Sequence, residues 1–384
     1  MREKGTVSSV IRLGNFVRNY YSHMIMITVV AAIVAGNLSP YSIKPLTPYM
    51  LYFIAAMIWA MSVTIRFSEL SLTLKKGRLI GCGLLTNFVF LPLLCYALAV
   101  ALMSRYPLYA AGFILMGTVP CAGMNVVWTG LLKGDVALAL LLGALTMLLG
   151  IVTIPWLTAL LAGVYAPVDV LGMLNTLLSV LIIPIALGMI TRNILQRASR
   201  QGAEHYLPAF PPIAAIMAMM LMFIMVAVNI PTIPMTGDIL LVLLVPPLVL
   251  FPIAFGGIHI FCNRILRCAE RETVAIVYSS GMKHLPLAMG VAFVSLGQQA
   301  ALPIAVAAVF QTVNASLFYR IFQARARLAS GCTSEISSGS KALRTLAGTG
   351  LGKQASRRML TIGLGYCNDC GMSRTCHDDL FRQG

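Results

Sequence analysis

Apolar residues run along this chain in long blocks separated by short polar punctuation. Ten blocks can be counted, centred near Val30, Ala56, Phe90, Leu115, Leu148, Ile182, Met219, Val245, Ser280 and Val306. About 20 apolar residues in a helix, rising 1.5 Å each, cross the ~30 Å hydrocarbon layer of a bilayer, so the pattern predicts an all-α membrane protein with ten transmembrane helices. Ten divides into two halves of five, residues 20–163 and 168–322. Because five is odd, the second half enters the membrane the opposite way round, which predicts two inverted five-helix repeats. Residues 1–19 precede the first block and are read as a cytoplasmic N-terminus that leads into a retained helix. Residues 323–384 are polar, basic and rich in Gly and Ser, and are expected to form a mostly disordered cytoplasmic tail.

Two blocks are interrupted at their centres. The fourth carries Pro120 and then Gly123-Met124-Asn125; the ninth carries Gly281-Met282-Lys283 followed by His284 and Pro286. A Lys and a His at mid-membrane are costly unless they face a cavity or a partner, and weakened backbone at that depth is tolerated only where protein or a water-filled cavity surrounds it. Interrupted helices at corresponding positions of two repeats point to a binding site. The expectation is that helices four and nine are broken and cross each other at the site.

Composition agrees with the pattern and narrows the chemistry. The chain has 384 residues, 59% hydrophobic and 10% charged, against about 25% charged in a soluble domain. Its net charge of +16 would suit nucleic acid, but the Lys and Arg lie in short loops and in the tail, where they mark topology. No nucleic-acid partner is expected. Basic loops after the second block (Arg66, Lys75, Lys76, Arg78), the sixth (Arg192, Arg197, Arg200) and the eighth (Arg264, Arg267, Arg271) alternate with loops holding only Lys44 and Arg105. That alternation places both termini in the cytoplasm.

All twelve acidic residues fall in loops, termini or helix ends. The membrane interior therefore offers a cation, Lys283, with His284 and the neutral partners Thr86, Asn87, Asn125, Thr129, Ser279, Ser280, Gln311 and Asn314. A fixed cation in a cavity favours an anionic substrate. Tail residues Cys367, Cys370, Cys376 and His377 could form a metal set, but nothing around them resembles the small fold such a site brings. No metal and no cofactor is expected.

At this point the residues resemble a family. Trp59-Ala60-Met61-Ser62-Val63-Thr64-Ile65 leading to Leu70, Asn87 five residues before Pro92, Pro120 through Asn125, Lys133-Gly134-Asp135-Val136-Ala137-Leu138, and Gly281-Met282 followed by Leu287-Ala288 are together similar to the signatures of the bile acid:sodium symporter family. That family lies within the bile acid/arsenite/riboflavin transporter superfamily. The resemblance runs from about Arg18 to Arg320. It implies a panel domain of helices one, two, six and seven, a core domain of helices three to five and eight to ten, and a site at the crossing of helices four and nine, exposed alternately to each side.

The departures from the family are specific. Where sodium-binding members have a Glu two residues before the ninth-helix Gly, this chain has Ser279; where they follow Gly-Met with Gln, it has Lys283. Ala139 and Gly143 stand where they offer Ser and Thr, and Asn87 stands where they have a Gln. The resemblance thus implies that Asn87, Asn125 and Lys283 belong to ion coupling or to its replacement by a fixed charge, with sodium or a proton as the candidate coupling ion. The expected function is secondary transport of a small organic anion, such as a bile acid or a pantoate-like carboxylate, held by Asn125, Ser279, Ser280, Lys283 and His284 in a plasma membrane, a bacterial inner membrane being the expected setting. The partners are then that anion and the lipid bilayer, with oligomeric state left open.

Cys121-Ala122-Gly123-Met124-Asn125-Val126-Val127-Trp128, then Gly134-Asp135, is also similar to a motif of the arsenite permeases, whose functional residue is the Cys. Arsenite efflux through Cys121 is therefore a second expectation. A Cys121–His284 thiol–imidazole pair in an intramembrane enzyme is a remote third, and carrier architecture argues against an enzyme.

Overall fold

The structure, a computed structural model, describes residues 20, 23–64, 76–198, 206–232 and 236–347, with side chains through 325. Clustering of its contacts divides the chain into two units, Met1–Ser316 and Leu317–Gly384. In chain order the helices are α1 (His23–Leu38), α2 (Tyr41–Val63), α3 (Gly77–Leu102), α4a (Pro107–Thr118), α4b (Met124–Leu131), α5 (Val136–Ala162), α6 (Val170–Arg197), α7 (Phe210–Asn229), α8 (Gly237–Leu266), α9a (Glu270–Gly281), α9b (Leu285–Ser295) and α10 (Gln298–Ala347). The described residues contain no β-sheet; a single isolated bridge joins Cys121 to Lys283.

Each of the ten apolar blocks contains a helix, and among the described residues seven helices are long and apolar enough to cross a membrane: α2, α3, α5, α6, α7, α8 and the Gln298–Arg325 part of α10. The all-helical expectation holds, and seven of the ten expected spans are of full membrane-crossing length among the described residues. α1 is short, and blocks four and nine yield α4a and α9b because their breaks divide what would have been continuous helices. The tail differs too. α10 continues to Ala347, past the expected boundary at 322, through a stretch rich in the helix formers Ala, Leu and Arg. The tail residues Cys367, Cys370, Cys376 and His377, for which no metal is expected, lie outside the described residues, as does the N-terminal segment through Asn19.

The surface is inverted relative to a water-soluble protein. Leu160, Leu171, Leu241 and Trp156 are each more than 60% exposed, while Asn87, Asn125, Ser279 and Ser280 are fully buried. Lipid accepts the first set, and the second must find hydrogen bonds inside. Acidic side chains sit where helices begin. Asp135 accepts the Leu138 N–H at 3.0 Å, Asp169 accepts Gly172 N–H at 3.0 Å, and Glu272 accepts Ala269 N–H at 3.3 Å. Each satisfies an otherwise orphaned first-turn donor and complements the helix dipole.

Packing falls into two groups. α2 packs most extensively against α6 and α7, whereas α3, α4a, α5, α8 and α9a pack chiefly among themselves. Small residues permit the closest approaches: a Cβ on Gly112 of α4a would lie 1.8 Å from the Ala300 carbonyl oxygen of α10, and one on Gly188 of α6 would lie 2.6 Å from the Ser62 Cβ of α2. α3 carries a π-helical turn at Thr86–Phe90. Such a turn inserts a residue into the ladder, and here it is the turn that contains Asn87.

Candidate functional site

The site is built from two interruptions. A residue before proline is driven out of the helical region, and Val119, ahead of Pro120, is extended with ψ 157°. α4a therefore stops at Thr118 and α4b restarts at Met124. In block nine α9a stops at Gly281, Met282 is extended (φ −98°, ψ 98°), and His284 caps α9b. The two extended breaks meet in antiparallel fashion at Cys121 and Lys283. Ala122 N–H donates to the Met282 carbonyl at 2.8 Å, and His284 N–H donates to the Pro120 carbonyl at 2.9 Å. Backbone groups freed from both helices thus satisfy each other, which is what allows non-helical chain at this depth.

The Gly-Met echo seen in the sequence does not occupy equivalent places. Gly123-Met124-Asn125 opens the second half of its helix, while Gly281-Met282-Lys283 closes the first half of its own. Around the breaks the packing is aromatic. Tyr278 stacks on Trp128 with centroids 5.9 Å apart and meets Phe255 edge-on at 5.7 Å, and its hydroxyl donates to the Ala315 carbonyl at 2.8 Å. A Cβ on Gly281 would strike the Phe255 ring at 2.7 Å, so this ring holds the end of α9a against α8.

Lys283 is 4% exposed. Its ammonium donates to the Asn87 carbonyl at 3.0 Å, the Asn87 Oδ1 at 3.1 Å and the Val119 carbonyl at 2.9 Å. An ammonium has three donors, and all three are engaged by these oxygens. The Lys283 main chain is fixed as firmly, since its N–H donates to Gln311 Oε1 at 2.8 Å and its carbonyl accepts Gln311 Nε2 at 3.1 Å. The described acidic side chains, Asp135, Asp169, Asp238, Glu270 and Glu272, all lie at a helix cap or in a first turn. Neutral oxygen dipoles, rather than a carboxylate, surround the charge.

The remaining expected residues form a second layer. Asn87 Nδ2 donates to the Gly83 carbonyl at 2.8 Å, the Ser279 carbonyl at 3.2 Å and Ser280 Oγ at 3.3 Å. Ser280 also shares a 2.6 Å hydrogen bond with Thr86. Asn125 Nδ2 donates to Ser279 Oγ at 2.8 Å and to the Ala139 carbonyl at 3.0 Å. One connected polar cluster therefore contains Asn87, Asn125, Ser279, Ser280 and Lys283. Asn314 stays apart, bonded to the Phe310 carbonyl of its own helix. Sequence reasoning missed the Val119 carbonyl and Thr146. The Pro120 signal could have exposed the first; nothing singled out the second.

His284 is 2% exposed; its Nδ1 accepts the Leu287 N–H at 3.4 Å, while Nε2 is buried without a partner. Cys121 Sγ accepts from Thr146 Oγ1 at 3.4 Å and Asn125 Nδ2 at 3.5 Å. These partners turn the two side chains to different neighbours, so no thiol–imidazole hydrogen bond joins them. Beside the breaks a cavity of about 40 Å³ is lined by Ala122, Met124, Met282 and Pro286, with Met219 and Met222 of α7 opposite. It can hold a few waters, far below the several hundred Å³ of a ligand pocket.

Away from the membrane interior, Lys76 donates to Asp135 Oδ2 at 2.5 Å and to Glu272 Oε1 at 3.5 Å, clasping the starts of α3, α5 and α9a. The Asp135 hydrogen bond lifts the Lys76 ammonium above its ordinary value against its partial burial. Burial alone would raise the Asp135 carboxyl, but the Lys76 and Leu138 hydrogen bonds and the Lys76 and Arg271 charges hold it below its ordinary value. Asp135 N–H also donates to the Arg271 carbonyl at 2.8 Å, and Arg271 Nε returns a bond to the Lys133 carbonyl at 3.1 Å.

Comparison with known proteins follows the same lines. The Sodium Bile acid symporter family profile matches residues 50–236. The rice (Oryza sativa subsp. japonica) "Probable sodium/metabolite cotransporter BASS2, chloroplastic" is 30% identical over 137 residues, covering 36% of this chain and 32% of that protein. The Bacillus subtilis (strain 168) "Uncharacterized protein YbaS" is 24% identical over 270 residues, 70% of this chain and 86% of its own length. The "Arsenical-resistance protein Acr3" of Alkaliphilus metalliredigens (strain QYMF) is 27% identical over 163 residues, 39% of this chain and 44% of its own. The match thus spans about a third of the rice relative and most of the Bacillus one. Several helices of membrane-crossing length make the chain a multi-pass membrane protein, and its residues 50–236 are similar to the Sodium Bile acid symporter family.

Proposed function

We propose that the chain is a secondary transporter of small organic anions, and that the Lys283 ammonium stands where a coupling cation would otherwise bind. The observation that carries this reading is the ammonium bound by three oxygens of Asn87 and Val119 where two broken helices meet. Sodium favours several oxygen donors, and an ammonium already among them excludes it by repulsion and by occupancy. The site then keeps a positive charge without an imported ion, which favours an anion nearby. Because all three Lys283 donors are engaged, the attraction acts through its field. Direct contacts fall to groups of the Asn125–Ser279–Ser280 cluster and to His284 Nε2, whose unpartnered N–H lacks an acceptor. A buried donor left unpaired costs about 1–3 kcal/mol, which an anionic substrate would recover.

The cavity of about 40 Å³ beside the breaks is too small for such a substrate. Entry requires α1 and α7 to part from the two breaks, as alternating access demands. Ten helices in two inverted repeats, both termini cytoplasmic, in a bacterial inner membrane, remain the architecture most consistent with ten apolar blocks and the broken pair. The test is uptake of labelled carboxylates by the purified chain in liposomes, using bile-acid-like and pantoate-like probes. Saturable accumulation of one of them supports the reading, and movement of arsenite with no carboxylate transport overturns it.

Arsenite is retained as a second reading because the Cys121 motif and a relative named for arsenical resistance both favour it. Cys121 is 2% exposed with its sulfur accepting two hydrogen bonds, an arrangement that serves packing. In an arsenite-sensitive host, Cys121→Ser should leave resistance unchanged from the parent chain. Loss of resistance on this substitution would favour the arsenite reading.

A further inference from the structure

Three cysteines that the transport site does not use come together where α8 ends. The π-helical end of α8, Phe261–Leu266, is closed by Arg267 in the left-handed conformation (φ 51°, ψ 45°). Arg267 N–H donates to the Cys262 carbonyl, and Cys268 N–H donates to the same oxygen at 3.0 Å. Such a cap sets the side chains of the residues at its two ends against each other. Here those residues are Cys262 and Cys268, near enough for each thiol to act on the other. A backbone hydrogen bond between two residues brings their Cα atoms to roughly 5–6 Å, inside the ~4.4–6.8 Å range of disulfides. Cys82 of α3 lies near the same Cys262 thiol. All three are free thiols; Cys82 and Cys262 are buried and Cys268 is half-buried. Arg78 of α3 donates to the Leu266 carbonyl at 3.1 Å and so stands beside the cap. Among the described residues no group of three Cys, His, Asp or Glu is placed to hold a metal ion.

We propose that Cys262 and Cys268 form a redox-modifiable dithiol, oxidised by a hydroperoxide to a disulfide that ties the end of α8 to the loop leading into α9a. Cys268, the more accessible thiol, attacks the peroxide as thiolate. Its sulfur takes one oxygen, the O–O bond breaks, and water or an alcohol leaves with the proton. Cys262 then attacks the Cys268 sulfenic sulfur, forming the S–S bond and expelling water. Two thiols lose two electrons and the peroxide gains them. Cys82 is the third thiol, placed to exchange with this bond. The groups facing Cys268 are Cys82, Cys262, Glu272 and Arg78. Burial, with Cys82 and Glu272, pushes the Cys268 thiol up, opposed by Arg78 and Cys262, so oxidation should speed up as pH rises.

The test treats the purified full chain with stoichiometric hydrogen peroxide at pH 7 and pH 9, blocks remaining thiols, and digests with trypsin plus chymotrypsin. Cleavage after Phe261, Arg264, Arg267 and Arg271 gives separate Cys262–Arg264 and Cys268–Arg271 peptides. The expected result is one reducible species joining these two, formed several-fold faster at pH 9 and missing from Cys268→Ser. Cys82→Ser, which leaves the cap intact, should still give the linked species. Sulfinic acid at Cys268 with no linked peptide would overturn the proposal, as would the same spread of pairings from native chain as from urea-unfolded chain among the nine cysteines.

Discussion

Lys283→Ala tests the energetics of the site most sharply. The wild-type ammonium makes three hydrogen bonds of 2.9–3.1 Å to Asn87 and Val119 oxygens. Bonds from a charged donor are worth about 1.5–3 kcal/mol each, so their gross value is roughly 5–9 kcal/mol. Removing an ammonium from water costs several kcal/mol in return, and the two nearly offset. Alanine removes both, so the variant should insert and fold with stability within a few kcal/mol of the parent. In choline, with sodium absent, it should not transport, because the positive charge that balances an anion has gone. The emptied oxygens should now accept a monovalent cation. For a site of about 1 mM affinity, 100 mM sodium would stabilise the variant by about 2.7 kcal/mol. At about 2 °C or more per kcal/mol for a chain of this size, Tm should rise by roughly 5 °C on exchanging choline for sodium. The parent should show no such shift. Parent-level uptake by Lys283→Ala in choline, or a variant Tm indifferent to sodium, would refute the reasoning.

Four further substitutions, at three positions, probe the frame around the site. Asp135→Asn keeps the α5 cap but loses the Lys76 pair, which at 41% and 17% side-chain exposure is worth under about 1 kcal/mol, whereas Asp135→Ala should cost about 1 kcal/mol more through the lost cap. Because the Asp135 carboxyl is held low, its contribution is full above the ordinary carboxylate value and is lost as pH falls through its folded value. The raised Lys76 contributes fully below its ordinary value and loses that contribution as pH rises through its folded value. Asp135→Asn should therefore flatten both limbs of the Tm–pH profile outside roughly pH 4–10. Gly112→Ala should destabilise by about 3 kcal/mol, since its Cβ would lie 1.8 Å from the Ala300 backbone, while Gly81→Ala, with nothing within 4 Å, should be neutral or stabilising in thermal melts.

Much of the site was legible in the sequence because its signals are physical exceptions. A Lys inside an apolar block and a proline in each broken helix are hard to explain except by a site, and the structure brings Lys283, Asn87, Asn125, Ser279 and Ser280 into one cluster. What the sequence did not convey was where the ammonium points. A lysine stem carries its charge several ångströms in any of many rotamers, and the π-turn that presents both Asn87 oxygens leaves no pattern in composition. The helices were legible as apolar blocks, whereas the places where a break divides a block, at Pro120 and Met282, set the lengths of the resulting pieces. The continuation of α10 to Ala347 was missed for the opposite reason: Gly and Ser lowered the expectation, while Ala, Leu and Arg sustained the helix. The thiol cap at Cys262 and Cys268 depends on a left-handed Arg267, where a glycine would have announced the turn.

The central claim is that a tethered ammonium replaces an imported cation at the crossing of α4 and α9. The most direct test is uptake of an identified carboxylate by proteoliposomes holding the wild-type chain, with sodium replaced by choline on both sides at fixed pH. The account predicts that the initial rate persists within about twofold. A rate that collapses in choline and returns in proportion to added sodium would contradict it.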